Sequence, residues 1–123
     1  MLSKYKKDYE KTVMGYLSYL DDFKNLENLK EEMQLYTTSD KENEQFEVLL
    51  FSGKNQDIRG IIGVQSVSSC IVIRYLSLDP SYRNNETRQI IMKELKQYYP
   101  KQKITTLPDY AYLLPFLRSE DNE

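Results

Sequence analysis

With 123 residues, of which 40% are hydrophobic and 29% charged, the chain has the size and composition of one soluble globular domain with its own core. A net charge of −2 gives no electrostatic support for nucleic-acid binding, which needs a basic face. The absence of histidine excludes histidine-dependent catalytic triads, histidine-bound zinc and histidine pH switches. A single cysteine, Cys70, excludes an internal disulfide and a multi-thiolate metal site.

The N-terminal residues are charged almost from the start, and no apolar run approaches the roughly 20 residues of a membrane span. We therefore expect one domain over residues 1–123, located in the cytoplasm, with no membrane and no nucleic-acid partner. Most of the eleven tyrosines are best interpreted as residues of the core and its rim, because their rings are apolar and only their tips are polar.

The first third of the chain shows two helical stripes after a weak candidate strand at Leu2 and Ser3. The first stripe consists of Tyr5, Tyr9, Val13, Tyr16, Leu17 and Leu20. The second consists of Phe23, Leu26, Leu29, Met33 and Tyr36. The polar run Thr37–Glu44 that follows predicts an exposed loop.

Three strands are predicted next. Alternation predicts a half-buried strand at Phe46–Leu50, and a turn at Ser52–Asn55 connects it to a second strand at Ile58–Val67. Gly60 and Gly63 indicate a bulge or a close backbone approach within that second strand. The third strand is the apolar run Cys70–Leu78, where we expect Cys70 to be a small core residue.

A strand, a polar loop and a helix then form the central unit of the chain. Asp79-Pro80 ends the third strand, and helical spacing predicts a helix over Glu86–Tyr99, which Pro100 terminates. Because a crossover helix joins parallel strands, we expect a strand at Ile104–Leu107 to lie parallel to Cys70–Leu78. Past it, we expect a short apolar segment at Tyr110–Leu117 and a frayed end at Ser119–Glu123. The predicted fold is α/β (α+β), a mixed sheet flanked by helices.

The segment Ile73–Arg83 (IRYLSLDPSYR) resembles the central motif of the GNAT N-acetyltransferase superfamily, and the order of the preceding elements also resembles that fold. The opening residues resemble a short branch of the superfamily that is encoded in bacterial riboflavin operons: Met1-Leu2, Tyr5-Lys6-Lys7, Glu10-Lys11 and Met14-Gly15. The resemblance implies an acetyl-CoA-dependent N-acetyltransferase with an amine acceptor and an association with riboflavin biosynthesis. Members usually continue through two further strands, so the expected fold is truncated at its C-terminus. Its last strand would then have an exposed edge, which a homodimer or a partner would cover.

The resemblance also implies a cofactor site. The backbones of Leu76 and Leu78 would bind the acetyl and pantetheine groups. The pyrophosphate would be wrapped by the following loop and helix start, which are Arg83, Asn84, Asn85, Glu86, Thr87 and Arg88. The superfamily pattern there is Arg-x-x-Gly-x-Gly, and this chain has Glu86 and Arg88 in place of the two glycines. A carboxylate at Glu86 would repel phosphate, whereas the Arg88 guanidinium could replace lost backbone donors.

No catalytic residue is identified. Many members have a tyrosine acid in the last helix, and the corresponding position here is Leu117, which cannot donate a proton. Tyr110 and Tyr112 are near in sequence, but at the wrong helical phase, which favours a packing role. The alternative hypothesis is therefore a non-catalytic GNAT-like protein that binds a protein or a small anion through the same face.

Overall fold

The computed structural model describes residues 1–37 and 45–118. Its centre is a five-stranded sheet in the order β1-β2-β3-β4-β5. The strands are β1 (Leu2–Lys4), β2 (Phe46–Ser52), β3 (Ile58–Val67), β4 (Cys70–Leu78) and β5 (Lys103–Thr106). Strands β1 to β4 pair antiparallel and β5 pairs parallel to β4, which confirms the predicted mixed sheet.

In the described residues, four α-helices flank the sheet: α1 (Glu10–Leu17), α2 (Leu26–Thr37), α3 (Asn85–Tyr98) and α4 (Leu114–Arg118). Short 3-10 segments precede each of them, at Lys7–Tyr9, Asp21–Phe23, Pro80–Tyr82 and Pro108–Leu113. Helix α2 includes Thr37, so the exposed loop that we predicted at Thr37–Glu44 begins too early in the sequence. The rest of that predicted loop, 38–44, lies outside the described residues. None of the helices within 1–37 and 45–118 is long and apolar enough to cross a membrane.

The two faces of the sheet each carry a hydrophobic core. One core lies between the sheet and α3 with α4, and contains Ile71, Ile73, Leu76, Leu78, Ile91, Leu95 and Leu117 among others. The other lies against α1 and α2, and contains Val13, Leu17, Leu29, Met33, Leu50, Ile61 and Tyr75 among others. Cys70, which we expected in the core, is only half-buried, because it begins β4 and pairs there with Val67 and Lys103 at the end of the sheet.

A β-bulge lies in the middle of β4. Gly63 of β3 pairs with Tyr75, but the next residue of β3, Val64, pairs with Ile73, so Arg74 is an extra residue without a partner in the register. The sequence predicted a bulge or a close approach at the glycines. A bulge within β3 is confirmed beside Gly60, since Phe51 pairs with Gly60 and Ser52 with Ile58, which leaves Arg59 as an extra residue. At Gly63 the bulge belongs to the opposite strand, and the close approach is confirmed: a Cβ added at Gly63 would lie 2.2 Å from the Tyr75 ring.

The bulge coincides with the point where β4 and β5 separate. Their pairing covers only the first four residues of β4, from Cys70 with Lys103 to Ile73 with Thr106. The Leu107 N–H group donates to the Ile73 carbonyl at 2.9 Å immediately beyond it. Among the described residues, the second half of β4 therefore pairs with β3 on one side and with no strand on the side of β5.

Candidate functional site

The backbone groups of Leu76 and Leu78 face the gap between β4 and β5. The Asp79 N–H group donates to the Arg59 carbonyl of β3 at 2.7 Å, and alternate residues of a strand direct their backbone groups to opposite sides. The backbone N–H and carbonyl groups of Leu76 and Leu78 consequently point away from β3. One hydrogen bond agrees with this direction: the Arg83 Nε donates to the Leu78 carbonyl at 2.9 Å. The Leu76 backbone also lies near the Tyr110 hydroxyl, whose pKa it lowers against the effect of burial.

A cavity of about 240 Å³ opens at this gap. Its lining residues are Tyr19, Leu20, Leu76, Ser77, Leu78, Arg83, Arg88 and Tyr112. Each arginine lies against the face of a tyrosine: the Arg83 guanidinium is 5.5 Å from the ring centre of Tyr19, and that of Arg88 is 5.8 Å from the ring centre of Tyr112. The cavity thus combines backbone polar groups, two cations and aromatic walls.

Arg88 has an unmet hydrogen-bonding capacity. Its Nη1 donates to the Asn85 side-chain oxygen at 3.1 Å, but its Nε is buried and has no hydrogen-bond partner among the described residues. A buried donor without an acceptor costs about 1–3 kcal/mol, so an oxygen ligand beside Arg88 would be stabilising. Burial raises the pKa of the neighbouring Tyr112 hydroxyl, and the positive charge of Arg88 opposes that rise.

Helix α3 starts one residue earlier than predicted because Asn84 is its N-cap. The Asn84 side-chain oxygen accepts the Thr87 N–H group at 2.8 Å, and its carbonyl accepts the Arg88 N–H group at 3.1 Å. One backbone donor that an anion would use at this helix start is therefore already bonded within the chain.

The residues of the predicted cofactor site fall into two groups. Leu76, Leu78, Arg83 and Arg88 line the cavity at the gap. Asn84, Glu86 and Thr87 line another depression, of about 610 Å³, together with Met1, Phe51, Tyr82 and other residues. Asn85 is connected to the first group through its bond to Arg88. Glu86 and Arg88 separate because residues two apart on a helix point about 200° from one another.

Tyr110 has the predicted packing role, but its backbone differs from the predicted helix. It lies in the 3-10 segment Pro108–Leu113 and has a non-helical backbone (φ −114°, ψ 15°), so the phase of an α-helix does not apply to it. Its ring packs against both cores, and its hydroxyl lies near the Leu76 backbone at the gap. Burial raises the pKa of Tyr110 to about 12, which keeps the hydroxyl protonated near neutral pH. Leu117 is buried in the core, as its side chain requires.

The sequence reasoning missed Tyr19 and favoured a packing role for Tyr110 and Tyr112, because tertiary packing brings these residues to the gap from distant segments. The N-cap, by contrast, had a local signal: Asn84 directly precedes the first helical residue, a position where asparagine is strongly preferred.

No protein-family model matches the chain. A protein of Bacillus methanolicus, named an uncharacterized N-acetyltransferase in the lysA 3′ region, is 34% identical over 105 residues, which cover 85% of this chain and 83% of that protein. Among solved structures, the aminoglycoside 6′-N-acetyltransferase AAC(6′)-Ih from Acinetobacter baumannii aligns with 98% of this chain and 87% of its own, at 10% identity and a TM-score of 0.62. The enzyme AAC(6′)-Iy, in complex with a bisubstrate analogue containing coenzyme A, aligns with 94% of this chain and 84% of its own, at 7% identity and a TM-score of 0.67. The sheet topology, the separation of β4 from β5 and the relative in Bacillus methanolicus agree, and the chain belongs to the GNAT N-acetyltransferase superfamily.

Proposed function

We propose that the protein transfers an acetyl group from acetyl-coenzyme A to an amine at the gap between β4 and β5. The observation that carries this proposal is the separation of the two strands after Ile73, which leaves the backbone groups of Leu76 and Leu78 facing a cavity flanked by Arg83 and Arg88. Backbone groups that have no neighbouring strand can pair with an extended amide-containing ligand instead.

The residues around the cavity fit coenzyme A. Arg83 and Arg88 would bind the pyrophosphate, since guanidinium groups form strong charge-assisted hydrogen bonds with phosphate oxygens. The buried Nε of Arg88, which has no partner among the described residues, supports this assignment. The start of α3, from Asn84 to Thr87, would contribute its dipole rather than a glycine-lined cradle, because the Asn84 side chain already binds the Thr87 amide.

Most of the rate enhancement would come from the β4 backbone, which would align the cofactor with the amine. Bound acetyl-coenzyme A supplies a thioester whose carbonyl carbon an amine attacks. Leu76 and Leu78 would orient the extended arm of the cofactor along β4, and holding the two reactants in line removes much of the barrier. Tyr110 has a protonated hydroxyl next to the Leu76 amide, where it can hydrogen-bond to a ligand, but we propose that transfer does not depend on it as an acid.

Isothermal titration of acetyl-coenzyme A into the pure protein tests the cofactor, and release of the free thiol in the presence of amines tests the reaction. The amines should include neamine and a lysine-containing peptide as chemically different acceptors. Saturable binding followed by amine-dependent thiol release is expected. Binding without release for every amine would favour the non-catalytic alternative, and the absence of binding would contradict the proposal.

Two finer hypotheses accompany this function. The resemblance of the opening residues suggests an association with riboflavin biosynthesis. Normal growth without riboflavin of a strain lacking the gene would contradict it.

In the described part of the chain, β5 pairs only with β4, and we propose that a second copy covers its free edge. Sedimentation should then give the mass of a dimer, whereas the mass of a monomer at high protein concentration would contradict it.

A further inference from the structure

The bulge residue Arg74 determines which backbone groups face the gap. Before the bulge, Ile73 directs its carbonyl toward β5, where it accepts the Leu107 N–H group. In a regular strand, the next residues directed to that side would be Tyr75 and Ser77. The extra residue reverses the alternation, so that Leu76 and Leu78 face the gap instead, while Tyr75 packs in the core against α1 and α2.

The Arg74 side chain is held by a buried carboxylate of α2. Its two terminal nitrogens donate to the two oxygens of Glu32; the bond from Nη2 to Oε1 is 2.7 Å long. Glu32 is only 5% exposed and also accepts a hydrogen bond from the Tyr36 hydroxyl. The Tyr36 hydroxyl in turn lies 2.7 Å from that of Tyr75, the residue after the bulge.

This arrangement is a costly way to stabilise a fold. The free energy needed to remove two charges from water nearly cancels the favourable free energy of their attraction. Apolar residues of similar size can therefore often replace a buried ion pair without loss of stability. The best-attested role of such pairs is to select one register over another. Here the pair joins α2 to the single residue that sets the register of β4 with β3.

We propose that Glu32 and Arg74 form a positioning pair that fixes the β4 bulge, and so directs the Leu76 and Leu78 backbone groups into the gap. The proposal rests on the proposed function in one respect, namely that these groups bind the cofactor arm. Neither side chain needs to touch a ligand for this role. The pair acts on binding through the register of the strand.

The double variant Glu32→Leu/Arg74→Met separates positioning from stability. Because it replaces the ion pair by apolar side chains, we expect a folded protein with a melting temperature close to that of the wild type. Nuclear Overhauser effects across β3 and β4 should show that Gly63 no longer pairs with Tyr75. The affinity for coenzyme A should fall at least about tenfold, because the ligand loses its hydrogen bonds to the Leu76 and Leu78 backbones.

Tyr99→Phe is the matched control, since it removes the 2.7 Å hydrogen bond from Tyr99 to the Glu47 carboxylate, away from the bulge. It should lower the melting temperature and leave both the register and the affinity unchanged. If the double variant does not fold, Arg74→Lys keeps the charge but loses the two-point contact, and it should show the same changes to a smaller extent.

A folded double variant, or a folded Arg74→Lys variant, that keeps the pairing of Gly63 with Tyr75 overturns the proposal. A changed register with unchanged coenzyme A affinity overturns it as well. If the wild type binds no coenzyme A, the proposed function fails, and the register measurement still decides whether the pair fixes the bulge.

Discussion

Arg88 offers the sharpest test of how this protein would hold a pyrophosphate without the two glycines. Arg88→Gln removes a guanidinium that lines the cavity and whose Nε is buried without a hydrogen-bond partner in the described residues. A hydrogen bond to a charged group contributes about 1.5–3 kcal/mol, which corresponds to about a ten- to one-hundred-fold weaker binding of coenzyme A. The melting temperature should change little, because the free protein loses an unsatisfied donor, an exposed bond to Asn85 and a cation–π contact with Tyr112 that contributes about 0.5–1 kcal/mol at an exposed site.

Isothermal titration with coenzyme A and with pantetheine measures this effect, since pantetheine lacks the pyrophosphate. Arg88→Gln should weaken only coenzyme A. Glu86→Gln is the matched control: it also changes one charge in the first turn of α3, but on the side that lines the other depression, and it should alter affinity by less than about twofold. Equal losses for both ligands, or tighter binding in Glu86→Gln than in the wild type by about tenfold, would refute the reasoning.

Further predictions concern stability and catalysis. Gly63→Ala places a methyl group 2.2 Å from the Tyr75 ring, and overpacking of about 1–3 kcal/mol should lower the melting temperature by roughly 5–10 °C; an unchanged temperature would contradict the packing described. Asn84→Ala removes the N-cap of α3 and should cost about 1 kcal/mol in a urea titration, whereas no loss would show that the cap contributes nothing. Tyr110→Phe and Tyr112→Phe should each retain more than about one hundredth of any transferase rate, and a larger loss would reveal a general acid. Because the pKa of Tyr110 is raised to about 12, the folded state holds its proton more tightly than the unfolded state; the free energy of unfolding should fall as the pH rises from 10 toward 12, and this part of the fall should be absent in Tyr110→Phe.

Local patterns were sufficient to predict the central unit of the fold. The apolar run Cys70–Leu78 has the bounds of β4, since a proline follows it directly, and the helical spacing after it locates α3 to within one residue at each end. The parallel pairing of β4 with β5 follows from the helix between them. These features depend on residues close in sequence, which is why a single sequence contains them.

The candidate site was predicted only in part, for two different reasons. The separation of Glu86 from Arg88 was within reach, because Asn84 signals the helix start and places both residues inside the first turn. The bulge is also visible in the sequence, because the apolar positions of β4 that face one core change from odd numbers, Ile71 and Ile73, to even numbers, Leu76 and Leu78. Contacts between residues from distant segments produce no such local pattern in the sequence.

Glu32 meets Arg74 across 42 positions of sequence, and the irregular backbone of a 3-10 segment brings the Tyr110 hydroxyl near the Leu76 backbone. Helical phase, the only guide available for Tyr110 in the sequence, points it elsewhere. Both contacts are set by how the helices pack on the sheet, and no local pattern of residues encodes that packing.

The central claim is that acetyl-coenzyme A binds along the unpaired half of β4. Amide chemical shifts of the isotope-labelled full chain, followed during titration with acetyl-coenzyme A, test it most directly. The largest and saturable changes should occur at Leu76, Leu78 and the Arg83–Arg88 segment. Saturable changes confined to the depression around Phe51 and Tyr82, or no changes at all, would contradict the account.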